Sequence, residues 1–156
     1  MFDFLYLEES TIDSYYYARD VIKGRFPEGE PTIAQDAEYS YMYARDVIKG
    51  RFSKGEKVIV QDAKYSYYYA NNIIKDRFPA GEPVIAQDAK YSYYYVLGVI
   101  KDRFPAGEPV IAQNAEYSLL YKDFVASIIT ENDNFTKNKE TDLKYLSLNR
   151  FSILDI

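Results

Sequence analysis

The chain has 156 residues, carries a net charge of −5 and contains neither cysteine nor histidine. This composition excludes disulfides, thiolate nucleophiles, Cys-type zinc sites and the usual general base at neutral pH. With 47% apolar and 28% charged residues, the chain is typical of a globular protein with a core. The N-terminus does not resemble a signal peptide, and no apolar run approaches the ~20 residues of a membrane span. We expect a cytoplasmic protein that needs no cofactor.

A 26-residue repeat dominates the sequence. The segment from Val84 to Tyr95 nearly repeats the segment from Val58 to Tyr69, and each copy continues into a Lys-x-Arg-Phe motif and a turn containing glycine. Tandem copies of this length indicate stacked supersecondary units, each of which buries its apolar face against the next. Tyrosines that mark the period are Tyr17, Tyr43, Tyr69, Tyr95 and Tyr121.

Each copy predicts a short helix followed by a long one. Pro31 favours a short helix over 31–35, because proline is tolerated in a first helical turn. Asp36 is the predicted N-cap of a long helix over 37–49, whose apolar residues recur at helical spacing. Gly50 is the predicted C-cap in a left-handed conformation. The equivalent N-cap positions hold Ser10, Asp62, Asp88 and Asn114.

The predicted fold is all-α, a short α-solenoid of about five two-helix repeats with degenerate caps at both ends. The array is expected to occupy 1–130, with 4–9 in the place of a first short helix. Residues 131–156 are predicted as a linker over 131–141 and a capping segment. That segment is either a helix through Leu143 or a strand near Phe151. The long helices are expected at about 10–24, 36–50, 62–76, 88–102 and 114–128.

A Lys-x-Arg pair ends each of the first four long helices. Stacking would align these charges into a ladder able to bind phosphate groups. The alternative is structural, in which each arginine pairs with the glutamate five residues later and braces neighbouring repeats. The second interpretation is favoured because Lys-x-Arg and Gly-Glu always occur together. The ladder residues expected to contact nucleic acid are Lys49, Arg51, Lys75 and Arg77.

Three consecutive tyrosines occur at 15–17, 67–69 and 93–95. Successive helical residues are rotated by about 100°, so at least one tyrosine per copy must be partly exposed. An exposed tyrosine offers large contact area at low entropic cost, or a stacking surface for a base, while the other two suit the core. The candidate partner contacts are Tyr16, Tyr68 and Tyr94.

One column of residues varies among otherwise similar copies. Positions 19 and 20 are Arg-Asp, and the equivalent positions become Arg-Asp, Asn-Asn and Leu-Gly in the next three copies. In repeat proteins such positions often form the contact surface. Drift at solvated positions is the alternative, and the leucine counts against it. The candidate partner-binding residues are Arg19, Arg45, Asn71 and Leu97.

The string Tyr-Ala-Arg-Asp-Val-Ile-Lys-Gly-Arg-Phe-Pro-Glu-Gly-Glu-Pro at 17–31 resembles a short tandem repeat of small tailed-bacteriophage and bacterial proteins. The resemblance covers about residues 10–125. Two departures are Asp76 and Asp102, which stand where that repeat has glycine, and a third is Asp-Ala where it often has Asp-Pro. The resemblance implies a phage or mobile-element setting. No general biochemical function is attached to the repeat, so no site residue carries over.

These features predict a non-enzymatic protein that binds another protein. In a phage setting the expected partner is a host or defence protein, which the chain would inhibit or modulate. Nucleic-acid binding through the Lys-x-Arg ladder and tyrosine stacking is the alternative. Acidic mimicry of DNA is weaker, because every repeat mixes both signs of charge.

Overall fold

The computed structural model describes residues 10–150. Within that range every regular element is helical, and short and long helices alternate and pack on their neighbours in the chain. The predicted all-α fold built from two-helix repeats is therefore confirmed. Within the same range, none of the helices is long and apolar enough to cross a membrane. The short helices are α2 (Glu30–Ile33), α4 (Glu56–Ile59), α6 (Glu82–Ile85) and α8 (Glu108–Gln113).

The first four long helices begin as α-helices and finish as π-helices. The α-helical parts are α1 (Thr11–Tyr16), α3 (Ala37–Tyr43), α5 (Ala63–Tyr69) and α7 (Ala89–Tyr95). Each runs without a break into a π-helical segment of five or six residues. These segments are Tyr17–Ile22, Ala44–Ile48, Ala70–Ile74 and Val96–Ile100.

The N-caps of the long helices lie where the sequence predicts them. The Asp36 carboxylate accepts the backbone N–H of Tyr39 at 3.0 Å, and Asp62 and Asp88 make the same bond one and two repeats later. Asn114 accepts the N–H of Tyr117 in the same way. A capping oxygen satisfies a backbone donor that the helix itself cannot pair. The repeat therefore restarts its long helix at one fixed position.

The C-terminal ends differ from the prediction. Lys49, and not Gly50, adopts the left-handed conformation, with φ 56° and ψ 39°. Ala44 C=O then accepts the N–H of Gly50 at 3.1 Å, six residues on, which is a π-helical version of a left-handed C-cap. The prediction for Gly50 is wrong because the wider π turn moves the left-handed position one residue earlier. The equivalent lysines are Lys23, Lys75 and Lys101.

This left-handed lysine gives a test by substitution. A side chain with a Cβ costs about 1–2 kcal/mol in the left-handed region, whereas glycine adopts it freely. We expect Lys49→Gly to raise the free energy of unfolding by up to about 1 kcal/mol, measured by urea denaturation. Lys49→Ala is the control, because alanine keeps the Cβ and should leave the stability nearly unchanged. Equal stabilisation by both substitutions would show that backbone strain is not the cause.

The core consists of the same residue types in each repeat. One isoleucine of every short helix is buried, and after the first three short helices the serine of the following long helix donates to that isoleucine's carbonyl. In the third repeat this bond joins Ser66 Oγ to Ile59 O at 2.7 Å. Because the hydrogen bond satisfies the buried hydroxyl, serine can lie where two helices come close together. The buried isoleucines are Ile33, Ile59, Ile85 and Ile111.

The last helix is longer than predicted. Helix α9 runs from Ala115 to Arg150, so the predicted loop over 131–141 is helical. The reason lies in the sequence, because no glycine or proline occurs in this stretch to stop a helix. The chain divides into two compact units, one up to Ser118 and one from Leu119 onward. The predicted cap at 4–9 and the possible strand near Phe151 lie outside the described residues.

Candidate binding face

A buried tyrosine connects successive repeats through an ion pair. Tyr69 of α5 accepts the backbone N–H of Phe52 at 2.7 Å and donates to Glu56 at 2.8 Å. Arg51 pairs with the same carboxylate through two bonds of 2.8 and 2.9 Å. We call this set the Arg-Glu-Tyr bridge. It connects the start of a short helix, the loop before it and the long helix of the next repeat.

The bridge recurs with nearly the same geometry. In the next repeat, Tyr95 accepts from the N–H of Phe78 at 2.8 Å and donates to Glu82 at 3.0 Å. In the preceding repeat, Lys54 adds a second cation at 2.9 Å from Glu30, whose side chain is 1% exposed. The pairing of each arginine with the glutamate five residues later is confirmed. The ion pairs are Arg25–Glu30, Arg51–Glu56, Arg77–Glu82 and Arg103–Glu108.

The bridge perturbs the pKa values of its members in opposite directions. Hydrogen bonds from Arg51 and Tyr69 outweigh burial and hold the pKa of Glu56 below its usual range. Burial raises the pKa of Tyr95 to about 12, and burial with the bond to Glu56 raises the pKa of Tyr69. The folded protein therefore favours a carboxylate beside a neutral phenol.

These raised tyrosine pKa values predict loss of stability at alkaline pH. A group that binds its proton more tightly when folded contributes stability below its unfolded pKa, about 10 for tyrosine. That contribution disappears as the pH rises toward about 12, the pKa of Tyr95 in the folded protein. We expect the free energy of unfolding to fall across this window, together with a cooperative rise in tyrosinate absorbance. A noncooperative rise, with stability unchanged, would contradict the assignment.

A second group of tyrosines lies along one face of the long helices. Eight rings from Tyr41 to Tyr117 are linked by centroid distances of 5.5–6.4 Å. Tyr15, Tyr16 and Tyr39 form a smaller group over α1 and α3. We call both groups together the tyrosine face. Its other members are Tyr65, Tyr67, Tyr68, Tyr91, Tyr93 and Tyr94.

Ring pairs cross every boundary between the long helices at a constant separation of 24 residues. Tyr41 lies 6.1 Å from Tyr65, and Tyr67 lies 6.1 Å from Tyr91. Their planes are tilted by 37° and 32°, so neither pair is stacked in parallel. Tilted aromatic pairs add about 0.5–1.5 kcal/mol each beyond the area they bury. The tyrosine face therefore helps to hold the repeats together.

The variable column borders the tyrosine face and is partly structural. Tyr15 donates to Asp46 at 2.7 Å, and the equivalent Tyr41 accepts from Asn72 at 2.8 Å. The second residue of the variable pair therefore bonds to the preceding long helix in the second and third repeats. In the fourth repeat Gly98 occupies this position, and a Cβ there would lie 2.7 Å from Asn71 Oδ1 and 3.3 Å from the Tyr67 hydroxyl.

The first residue of each variable pair is exposed or half-buried, and Asp20 and Asn72 in the second position are exposed as well. Arg19 and Arg45 each make two bonds of 2.6–2.8 Å to the adjacent aspartate, and Asn71 bonds to Asn72 at 2.8 Å. Leu97 is 40% exposed and stands next to Gly98. The exposed edge of the tyrosine face thus changes from ion pairs, through an amide pair, to an apolar side chain.

The candidate tyrosines lie together, while the ladder residues belong to the helix ends. Tyr16 is 41% exposed, and Tyr68 and Tyr94 are half-buried. The third tyrosine of the triplet is fully buried in α5 and α7, whereas Tyr17 in the first repeat is 41% exposed. Lys49 and Lys75 are exposed at the left-handed turns. Arg51 and Arg77 remain 58% and 55% exposed despite their ion pairs.

Two contributions to this face were not predicted from the sequence. Four tyrosines at the equivalent position of successive long helices belong to it, namely Tyr39, Tyr65, Tyr91 and Tyr117, and two of them, Tyr65 and Tyr91, lie one turn before a tyrosine triplet. Lys64 and Lys90 lie over its rings, with ammonium nitrogens 4.6 and 5.5 Å from the centroids of Tyr65 and Tyr91. The spacing between these lysines and the triplets, three and four residues, is the signal that could have revealed them.

No protein-family model matches the chain, and no curated protein or solved structure matches it either.

Proposed function

We propose that the chain is a non-enzymatic repeat protein that binds another protein through the tyrosine face. One observation carries the proposal: the first residues of the variable pairs, which change from arginine to asparagine and leucine between repeats, are exposed or half-buried along one edge of this face. The residues that hold the repeats together, by contrast, hardly change between copies. A constant scaffold with a variable exposed edge is the arrangement by which repeat proteins contact partners.

The chemistry of the tyrosine face favours a protein partner. Half-buried tyrosines present rigid area with a polar tip, and they lose little entropy on binding. Tyr68 and Tyr94 are held in place by neighbouring rings at 5.7 and 6.0 Å, so their positions are set before a partner arrives. Preorganisation of this kind lowers the cost of forming an interface.

Nucleic-acid binding through the Lys-x-Arg ladder is the second candidate. The observation that favours it is the left-handed conformation of Lys49 and its three equivalents, a strained position that lysine occupies in four repeats. Against it, Arg51 and Arg77 each donate from two of their three guanidinium nitrogens, Nε and Nη2, to a glutamate. Phosphate contacts would have to compete with these ion pairs.

The test compares two variants of the tagged full chain in pull-downs from bacterial lysate, with and without nuclease. The first variant gives the third and fourth repeats the Arg-Asp pair of the first two, which the fold already accommodates. Its substitutions are Asn71→Arg, Asn72→Asp, Leu97→Arg and Gly98→Asp. The second variant, Lys49→Ala with Lys75→Ala, changes the ladder.

We expect a nuclease-resistant protein partner that the first variant loses and the second retains. Recovery of nucleic acid that only the second variant loses would replace this proposal by the alternative. A partner that both variants retain would place the contact outside the tyrosine face. Because the resemblance points to phage proteins, cytoplasmic host and defence proteins are the first partners to look for.

A further inference from the structure

We propose that the part of the tyrosine face on α5 and α7 binds an acidic segment of the partner protein. The inference rests on the proposed function and adds the chemistry of the partner. It concerns Lys64 and Lys90, which play no part in the Arg-Glu-Tyr bridges. Both lie one position after the first residue of their helices.

Four positions of each long helix make up the relevant surface. Counting from Lys64, they lie at i, i+3, i+4 and i+7, which is a single side of a helix. In the first four long helices the two central positions are tyrosine except for Met42 in α3, and in α9 they are Leu119 and Leu120. The two outer positions vary, so each long helix carries its own pair of edge residues. In α5 these are Lys64 and Asn71, and in α7 they are Lys90 and Leu97.

The arginines at these edges form ion pairs over α1 and α3, whereas within the part of the chain that the structure describes the lysines at the edges of α5 and α7 form none. Arg19 and Arg45 each have an adjacent aspartate at ion-pair distance. Lys64 and Lys90 have no carboxylate within that distance among the described residues. Glu38 interacts with Lys64 through the Tyr65 hydroxyl, which both side chains approach, and Asp88 caps its own helix.

Two sequence changes coincide in these helices. The outer position that holds Glu38 in α3 holds lysine in α5 and α7, and the aspartate of the variable pair is replaced by Asn72 and Gly98. The first change replaces a negative charge by a positive one, and the second is neutral overall because the arginine of the pair is replaced as well, by Asn71 and Leu97. The chain as a whole has a net charge of −5. The result is a confined positive area on an aromatic surface.

The lysines are placed to receive carboxylates. Lys64 Nζ lies 3.0 Å from the Tyr65 hydroxyl, and Lys90 Nζ lies 5.5 and 6.0 Å from the centroids of Tyr91 and Tyr94. A cation held over aromatic rings keeps donors free for a charge-assisted hydrogen bond. Leu97, at the opposite edge, provides an apolar contact for a flanking side chain.

The spacing of the two lysines defines a motif. Packed helices lie about 8–10 Å apart, and a segment in the polyproline II conformation advances about 3.1 Å per residue with three residues per turn. Such a segment, crossing α5 and α7, presents the same side to a helix about every three residues. Acidic residues three apart would reach Lys64 and Lys90 together.

A nucleic acid fits this area less well. The tyrosine rings of this area are inclined to one another by 32–79°, so they offer no set of parallel faces on which successive bases could stack. Two cations also neutralise few phosphates, whereas binding to a nucleic-acid backbone commonly uses many. A protein segment with two carboxylates matches the available charge.

The experiment selects peptides from a random displayed library on the immobilised full chain. We expect the enriched peptides to contain Asp or Glu at positions three apart. Synthetic peptides of that sequence should bind about tenfold or more weakly to the variant Lys64→Glu with Lys90→Glu. The fold tolerates glutamate at this position, because Glu38 occupies it in α3. The control, Lys49→Glu with Lys75→Glu, makes the same charge change elsewhere and should bind as the original chain does.

Several results would overturn the inference. These are enrichment without acidic residues, no enrichment at all, and equal weakening by both charge reversals, which would indicate unspecific attraction. Preferential binding of a single-stranded oligothymidylate would point to nucleic acid, and self-association that masks the face in sedimentation would point to a second copy. The pull-down distinguishes this failure from a failure of the proposed function. If the variant with changed variable pairs still loses a protein partner from lysate, the protein-binding function stands and only the acidic motif is rejected.

Discussion

Gly55→Ala is expected to lower the free energy of unfolding by about 1–3 kcal/mol, the usual cost of overpacking a well-packed site. A Cβ at Gly55 would lie 2.5 Å from the Phe52 ring and 2.6 Å from the Cβ of Ser40. The Ser40 Cβ is attached directly to the backbone of α3, so relief requires a helix to move. The turn before α4 therefore needs glycine for close approach, although its φ of −80° is an ordinary one.

Gly50→Ala is the matched control for this substitution. Gly50 lies five residues earlier in the same repeat, and a Cβ there would meet nothing nearer than 3.9 Å. We expect its effect on stability to stay within about 0.5 kcal/mol, as for most exposed substitutions. Chemical denaturation of both variants measures the difference. Equal losses of stability would mean that the contact with Ser40 does not cause the effect of Gly55→Ala.

Tyr69→Phe is expected to cost about 1–3 kcal/mol, although it removes a single oxygen atom. The Tyr69 hydroxyl accepts the N–H of buried Phe52 and donates to Glu56, so its loss leaves a buried donor without a partner. The ring itself would keep its place, since its centroid lies 5.4 Å from that of Phe78. The loss of stability would therefore come from the hydrogen bonds.

The neighbouring substitution Tyr68→Phe tests this explanation. Tyr68 is half-buried on the tyrosine face, and within residues 10–150 its hydroxyl makes no hydrogen bond. We expect its stability to match that of the original chain within about 0.5 kcal/mol. Thermal and urea unfolding of the two variants separate the role of the bridge from that of the ring. A loss of the same size in Tyr68→Phe would remove the special role assigned to Tyr69.

Local signals in the sequence predicted the repeat, the N-caps and the ion pairs. Asp36 is a reliable N-cap because its short side chain accepts a backbone N–H only three residues away. Arg51 and Glu56 were paired correctly because they always occur together in the repeat. Such interactions depend on residues close in the chain, and a single repeat contains all the information they need.

Features that depend on neighbouring repeats or on backbone geometry were not predictable in the same way. The π-helical ends leave no distinct residue pattern, so the left-handed position was assigned to Gly50 and not to Lys49. The bond from Tyr15 to Asp46 spans 31 residues, and only the stacking of two long helices brings its atoms together. The position of Lys64 on the tyrosine face is not predictable for the same reason, because the rings around it come partly from other helices.

The bridges between repeats have a consequence for how this chain could evolve. The bond from the Phe52 N–H to the Tyr69 hydroxyl spans 17 residues, and so does the bond from Phe78 to Tyr95. Removing one whole period, such as 63–88, would leave each remaining residue with an equivalent neighbour. Near-identical coding segments recombine out of register, and each product that gains or loses whole periods inherits complete internal interfaces. The tyrosine face can thus become longer or shorter by whole repeats, while the core between the remaining repeats stays the same.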